Sequence, residues 1–140
     1  MQVNEIFKSI QGEGPNFGKP AIFLRTAQCN LKCTWCDTKY TWDWKNYDFS
    51  KEVKEMTIDE VKDAINELEI KHLVITGGEP LLQQDDLADL LSFLKPDFYV
   101  EVETNCTILP NKMLTDLIDQ WHDNVNKWIN SKIDREVKKD

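Results

Sequence analysis

The chain has 140 residues, 41% of them hydrophobic and 30% charged, with a formal net charge of −8 and a pI near 4.8. That length suits one domain with a true core, and that acidity disfavours a nucleic-acid binder, whose phosphate contacts need clustered Lys and Arg. No apolar run approaches the roughly 18 residues of a membrane span, and residues 1–8 lack the basic-then-apolar pattern of a secretory signal, so the expectation is a cytoplasmic protein with reduced cysteines.

Residues 3–10 are mixed in character and end in Gln11-Gly12-Glu13-Gly14-Pro15, a turn-rich loop. Residues 21–26 (AIFLRT) form an apolar run with Arg25 inside it, read as a buried strand. The cysteine segment follows at once, and then an aromatic, polar stretch with Tyr40, Trp42, Trp44 and Tyr47, read as core or lid packing. Thr57-Ile58-Asp59-Glu60 has the pattern of a capping box, and Ile58, Val61, Ile65 and Leu68 fall on one helical face. Residues 72–76 (HLVIT) read as a strand broken by Gly77-Gly78, with His72 capping or packing rather than doing chemistry. Leu87, Leu90, Leu91 and Leu94 give a second helix closed by Pro96, and residues 98–102 a third strand. A third helix is read from Pro110, at the first helical position, through Leu114, Leu117, Ile118 and Trp121. Beyond it, Val125, Trp128, Ile129 and Ile133 share a stripe expected to be a helical tail packed on the domain.

Strands alternating with helices imply parallel pairing and right-handed crossovers. The expected fold class is α/β, either part of an open barrel or a small three-layer sheet. In such folds chemistry gathers at the C-terminal strand ends. Three loops are expected there: the cysteine loop, Thr76-Gly77-Gly78-Glu79-Pro80, and Glu103-Thr104-Asn105-Cys106.

Cys29, Cys33 and Cys36 follow the spacing C-x3-C-x2-C. Three thiolates on one short loop can each bind one iron of a cubane cluster, which leaves the fourth iron open to chelation by S-adenosylmethionine (SAM). An electron passed to the sulfonium would then give a 5′-deoxyadenosyl radical, the protein positioning the cofactor and excluding water. The competing reading is a zinc site with Cys106 as fourth ligand; structural zinc, however, usually draws paired ligands from two places. Gly77-Gly78 would let a SAM amino group approach the backbone closely. Asp37-Thr38 could place oxygen ligands on Mg2+ or simply make a turn. Arg25, in an apolar strand, needs a partner: a substrate carboxylate, or an internal carboxylate such as Glu101 or Glu103.

Glu5-Ile6-Phe7, Ser9 to Gly14, Phe23-Leu24-Arg25, Cys29 to Thr38, the Thr76 to Pro80 loop and Glu103-Thr104-Asn105 together resemble the 7-carboxy-7-deazaguanine synthase family of radical SAM enzymes. Trp35-Cys36-Asp37-Thr38 with the early Gln-Gly-Glu-Gly marks that family among radical SAM enzymes and argues against an alternative such as a glycyl-radical activase. The resemblance covers about residues 1–120 of a single radical SAM domain, with residues 121–140 divergent. It implies a partial parallel (β/α) barrel, shortened at the C-terminus, where the family continues with a Ser-Pro-Lys segment and further strands.

It also implies a reaction: ring contraction of 6-carboxy-5,6,7,8-tetrahydropterin to 7-carboxy-7-deazaguanine with loss of ammonia, a precursor step for the tRNA bases queuosine and archaeosine. The implied cofactors are a 4Fe-4S cluster on Cys29, Cys33 and Cys36, SAM contacted by Trp35 and Gly78, and Mg2+ contacted by Thr38. Ile10, Gln11, Gly12, Arg25 and Thr76 would contact the pterin, Arg25 through its carboxylate. The implied partners are a flavodoxin or ferredoxin reductant and a second copy in a homodimer. Cys106 departs from the family, which usually has Gly there. The alternative to an active enzyme is an inactive cluster- or zinc-binding module.

Overall fold

Nine residues that the sequence left unassigned form the first strand, β1 (Gln2–Ile10). It pairs antiparallel with β2 (Pro20–Thr26), placing Glu5 opposite Arg25 and Phe7 opposite Phe23. The structure, a computed structural model, describes residues 1–123. After a one-turn 3-10 helix at Lys39–Thr41 come the short helix α1 (Phe49–Glu52) and β3 (Lys54–Glu55), which pairs with the other edge of β1.

The expected capping box is present: Thr57 Oγ1 accepts from the Glu60 amide at 3.2 Å and the Glu60 carboxylate from the Thr57 amide at 2.7 Å. It opens α2 (Ile58–Asn66). Then follow β4 (His72–Gly77), a 3-10 turn at Pro80–Gln83, α3 (Gln84–Leu94), β5 (Tyr99–Thr104), α4 (Lys112–Leu117) and β6 (Gln120–Asp123). The sheet order is β3-β1-β2-β4-β5-β6, and β2, β4, β5 and β6 run parallel. The fold is thus of the expected α/β class, an open, mostly parallel sheet with an antiparallel edge, consistent with a partial barrel.

The third helix needs correction. Asn111, not a proline-led start at Pro110, caps it, its side chain accepting from the Leu114 amide at 2.8 Å. Ile118 leaves the helical conformation, and Asp119 docks on β5, its carboxylate accepting from the Val100 amide at 2.8 Å and from Lys95 Nζ at 2.6 Å. Trp121 therefore lies on a strand, paired with Val102. The stripe expected over residues 124–140 lies outside the described residues.

Strand alternation gives the sheet two different faces. One carries Ile22, Leu24, Leu73, Ile75, Val100 and Val102, which form the main core with Val61 and Ile65 of α2, Leu87, Leu90, Leu91 and Leu94 of α3, and Leu114 of α4. The other carries a small cluster of Phe7, Ala21, Phe23 and Val74 and, in register with them, Glu5, Arg25, Thr76, Glu101 and Glu103. Polar residues gathered on one face of the sheet form a surface suited to a ligand. Among the described residues, no helix is long and apolar enough to cross a membrane.

Candidate active site

The three expected loops do meet at the C-terminal edge of the parallel strands. β2 ends at Thr26, and Gln28, with φ of +75°, turns the chain toward Cys29. That left-handed conformation is costly for a residue with a side chain, and four hydrogen bonds hold it. The Gln28 amide donates to the Thr41 carbonyl at 2.7 Å, and its carbonyl accepts from the Glu79 amide at 2.9 Å. Its side chain donates to Gln2 at 3.1 Å and accepts from the Trp44 indole at 3.1 Å. Sequence reasoning did not single out Gln28, because nothing in its type marks a hinge.

The Cys29 sulfur accepts from the Leu31 amide at 3.5 Å. Burial pushes its thiol up; the Leu31 hydrogen bond opposes the rise, and Glu79, Cys33 and Cys36 add to it. A turn from the Cys36 amide to the Cys33 carbonyl, at 3.2 Å, brings those two residues round. The Cys36 sulfur lies 3.4 Å from the Trp42 indole nitrogen and 3.6 Å from the Thr38 hydroxyl. All three thiols are partly exposed and unpaired, and Trp35 between them is exposed. Three soft, accessible sulfurs, two of them already accepting N–H donors, are a donor set that fits an iron–sulfur cluster. Among the described residues, no three His, Cys, Asp or Glu side chains are grouped as for a single ion.

Gly78 shows why the second loop carries glycine. A Cβ there would run into the Gln28 carbonyl and lie 3.3 Å from the Cys29 Cβ. Gly78→Ala is expected to push the cysteine loop aside, costing about 1–3 kcal/mol of stability as overpacking does and lowering iron uptake, measured by thermal unfolding and metal content. Unchanged stability together with full iron loading would count against this close packing.

Glu79 binds the loops together. Its fully buried carboxylate accepts from the Leu81 amide at 2.9 Å, the Thr104 hydroxyl at 2.8 Å and the Asn105 amide at 2.7 Å. Asn105 in turn donates to Asn30 of the cysteine loop at 3.0 Å. Cys106 follows with φ of +58°, a conformation that glycine adopts without strain.

Below this edge lies the polar inner face. Arg25 Nε donates to Glu5 at 2.9 Å, and the Tyr40 hydroxyl donates to the same Glu5 oxygen at 2.9 Å. Burial and the bond to Glu5 push the Tyr40 phenol up to about 12. The guanidinium carbon sits 6.0 Å from both the Phe7 and Tyr40 ring centres. The internal partner of Arg25 is therefore Glu5, across the β1–β2 pair, rather than Glu101 or Glu103. Thr76 faces the same side and is nearly buried. Burial raises the Glu103 carboxyl, opposed by a hydrogen bond from Thr76.

Glu101 collects four side chains from four parts of the chain. Gln11 Nε2 donates at 3.0 Å, His72 Nε2 lies at 2.9 Å, His122 Nε2 at 3.2 Å, and Asn16 Nδ2 also donates. Burial would raise its carboxyl, but the bonds from Asn16, Gln11, His72 and His122 together hold it below the ordinary range. Gln11 is buried, with its backbone bonded to Lys19 and Gly18 and its side-chain oxygen accepting from the Glu13 amide. Ile10 is exposed, and Gly12 has open space where a side chain would stand. The Gln-Gly-Glu-Gly loop is thus fixed over the inner face, a placement that sequence spacing could not show.

An open α/β sheet with a three-thiol loop on its C-terminal edge and an acid- and arginine-bearing inner face defines the scaffold of an iron–sulfur enzyme. The chain belongs to the Radical SAM superfamily, whose match spans residues 23–134; that family implies a 4Fe-4S cluster and SAM. It is similar to proteins named 7-carboxy-7-deazaguanine synthase: 43% identical to that of Pyrobaculum aerophilum, over 85% of this chain and 52% of that protein. The Clostridium acetobutylicum protein of the same name is 44% identical over 76% of this chain and 47% of its own length. The crystal structure of QueE from Escherichia coli superposes with a TM-score of 0.65 at 34% identity, over 79% of this chain and 55% of that one. The chain thus spans about half the length of the relatives it matches.

Proposed function

We propose that this chain carries the cluster- and substrate-binding part of a 7-carboxy-7-deazaguanine synthase. It would convert 6-carboxy-5,6,7,8-tetrahydropterin to 7-carboxy-7-deazaguanine with loss of ammonia. The observation that carries the reading is Arg25. Glu5 engages it through Nε alone, which leaves the paired terminal nitrogens for the planar carboxylate of such a substrate. The relatives named for this activity support the same substrate.

Cys29, Cys33 and Cys36 would hold the cluster, with Trp35 and Gly78 beside SAM. When bound, the cluster would supply the electron for reductive cleavage of SAM. The chain's own residues do the rest. Arg25, held by Glu5 and Tyr40, anchors the substrate carboxylate. Thr76 offers a hydroxyl from β4. Gln11 fixes the loop from which Ile10 and Gly12 meet the pterin. Glu103, whose carboxyl is raised by burial, stands on the same face in a position to hold or exchange a proton with a ring nitrogen. Thr38, beside Cys36, would contribute an oxygen to Mg2+. The enzyme is proposed to work in the cytoplasm as a homodimer, reduced by flavodoxin or ferredoxin.

Anaerobic reconstitution with iron and sulfide tests this. Metal content is measured, then SAM cleavage with and without the carboxylated tetrahydropterin. The expected result is a four-iron cluster, 5′-deoxyadenosine and the deazaguanine product. A cluster that cleaves SAM but leaves the pterin unchanged would overturn the substrate assignment, and a zinc-loaded, colourless protein would overturn the cluster.

A further inference from the structure

We propose that Trp42 is a positioning residue for the iron–sulfur site: its indole N–H donates to the Cys36 sulfur and sets the potential at which the cluster takes up an electron. The proposal rests on the reading that Cys29, Cys33 and Cys36 hold the cluster. An indole nitrogen has one donor and no acceptor role, and this one lies 3.4 Å from the Cys36 sulfur.

The indole is held there by the chain beneath it. Trp42 closes the 3-10 turn Lys39–Thr41, its amide donating to the Lys39 carbonyl at 3.1 Å. Thr41 is fully buried; its hydroxyl donates to the Thr38 carbonyl at 2.8 Å, and its carbonyl accepts from Gln28 at 2.7 Å. The turn is therefore tied at both ends to the cysteine loop, and the indole is presented to Cys36 in a fixed position. The Cys29 sulfur, by contrast, accepts from the Leu31 backbone amide at 3.5 Å and more distantly, at 4.0 Å, from Asn105 Nδ2. Of these N–H donors to cysteine sulfur, the indole is the closest and comes from a side chain that a substitution can remove.

Hydrogen bonds to ligating sulfurs are among the factors that set cluster potential, and outer-shell partners of metal ligands tune the centre they support. Reduction adds negative charge to the cluster and its sulfurs. A donor aimed at a sulfur lowers the energy of the reduced form more than that of the oxidised form, so removing it should make the cluster harder to reduce.

The test compares Trp42→Phe and Trp121→Phe with the unsubstituted chain after anaerobic reconstitution. Both replacements keep a ring and remove an N–H, but Trp121 lies on β6, packed against the main core. The readout is the midpoint potential from a redox titration followed by electron paramagnetic resonance, which sees only the molecules that carry a reduced cluster. Trp42→Phe is expected to shift the midpoint to a more negative value, with Trp121→Phe leaving it in place. An unshifted midpoint in Trp42→Phe, or equal shifts in both variants, overturns the proposal. So does a Trp42→Phe chain that loads no cluster, which would make Trp42 a structural support. Failure of the unsubstituted chain to load a four-iron cluster would instead overturn the cluster reading on which the proposal stands.

Discussion

Glu101→Ala is expected to destabilise the protein by about 3–5 kcal/mol, the cost of removing the shared acceptor of a buried hydrogen-bond network. The carboxylate is fully buried and is the shared acceptor for Gln11, Asn16, His72 and His122. Its removal strands four polar side chains around a cavity, and each stranded buried donor costs about 1–3 kcal/mol unless water reaches it. A domain of this size has only about 5–15 kcal/mol in total, so Glu101→Ala should unfold at much lower urea. Glu101→Gln keeps the shape but turns an NH2 group toward donors, and should fall in between.

The same group gives the protein an acid limit. The folded carboxyl lies below its ordinary 4.5, so the folded state binds its proton less readily than the unfolded state does. Its contribution to stability is complete above that ordinary value and is lost as the pH falls through the lowered one. The urea midpoint of the unsubstituted chain should drop below about pH 4.5, and Glu101→Gln should flatten part of that drop. A Glu101→Ala protein within 1 kcal/mol of the original would show that the network adds little.

If the proposed function holds, Arg25→Lys lowers kcat/KM for the carboxylated pterin about 100-fold while leaving uncoupled SAM cleavage close to normal. Lysine keeps the charge but cannot serve Glu5 with one nitrogen and a planar carboxylate with two others. A lost bidentate, charge-assisted pair is worth roughly 3 kcal/mol, and each 1.4 kcal/mol is a factor of about ten. The loss should appear mainly in KM if the arginine binds ground and transition states alike. An Arg25→Lys enzyme with an unchanged KM would remove Arg25 from the substrate site.

Much of this architecture was legible because its signals are local. The capping box at Thr57 and Glu60, the leucine face of α3, and the strands around Leu73–Ile75 and Val100–Val102 follow from short-range pattern and were correctly placed. The cysteine, Gly-Gly and Glu-Thr-Asn loops could be gathered at one edge because parallel α/β topology requires it. The misses depended on pairing between distant segments. β1 shows no clean alternation, because its end is exposed and its inner residues, Glu5 and Phe7, meet their partners only across β2. For the same reason the partner of Arg25 could not be named. Ile118 and Trp121 fit a helical period, but the docking of Asp119 on β5, which ends that helix, is a tertiary contact. In the sequence Glu101 stands out only as a possible partner of Arg25, since its four donors come from residues 11, 16, 72 and 122.

The reach of that hub also bears on how the protein is made. Gln11 and Asn16 leave the ribosome 90 and 85 residues before the carboxylate they bind. At ordinary synthesis rates that is a wait of roughly 5–20 seconds. β1 and β2 can pair during the interval because their contact is local, and the loop between them closes on its own backbone bonds, but the Gln11 and Asn16 side chains have no Glu101 to bind until β5 emerges. The loop over the inner face thus gains its last side-chain partner late, although it is among the first parts to be translated.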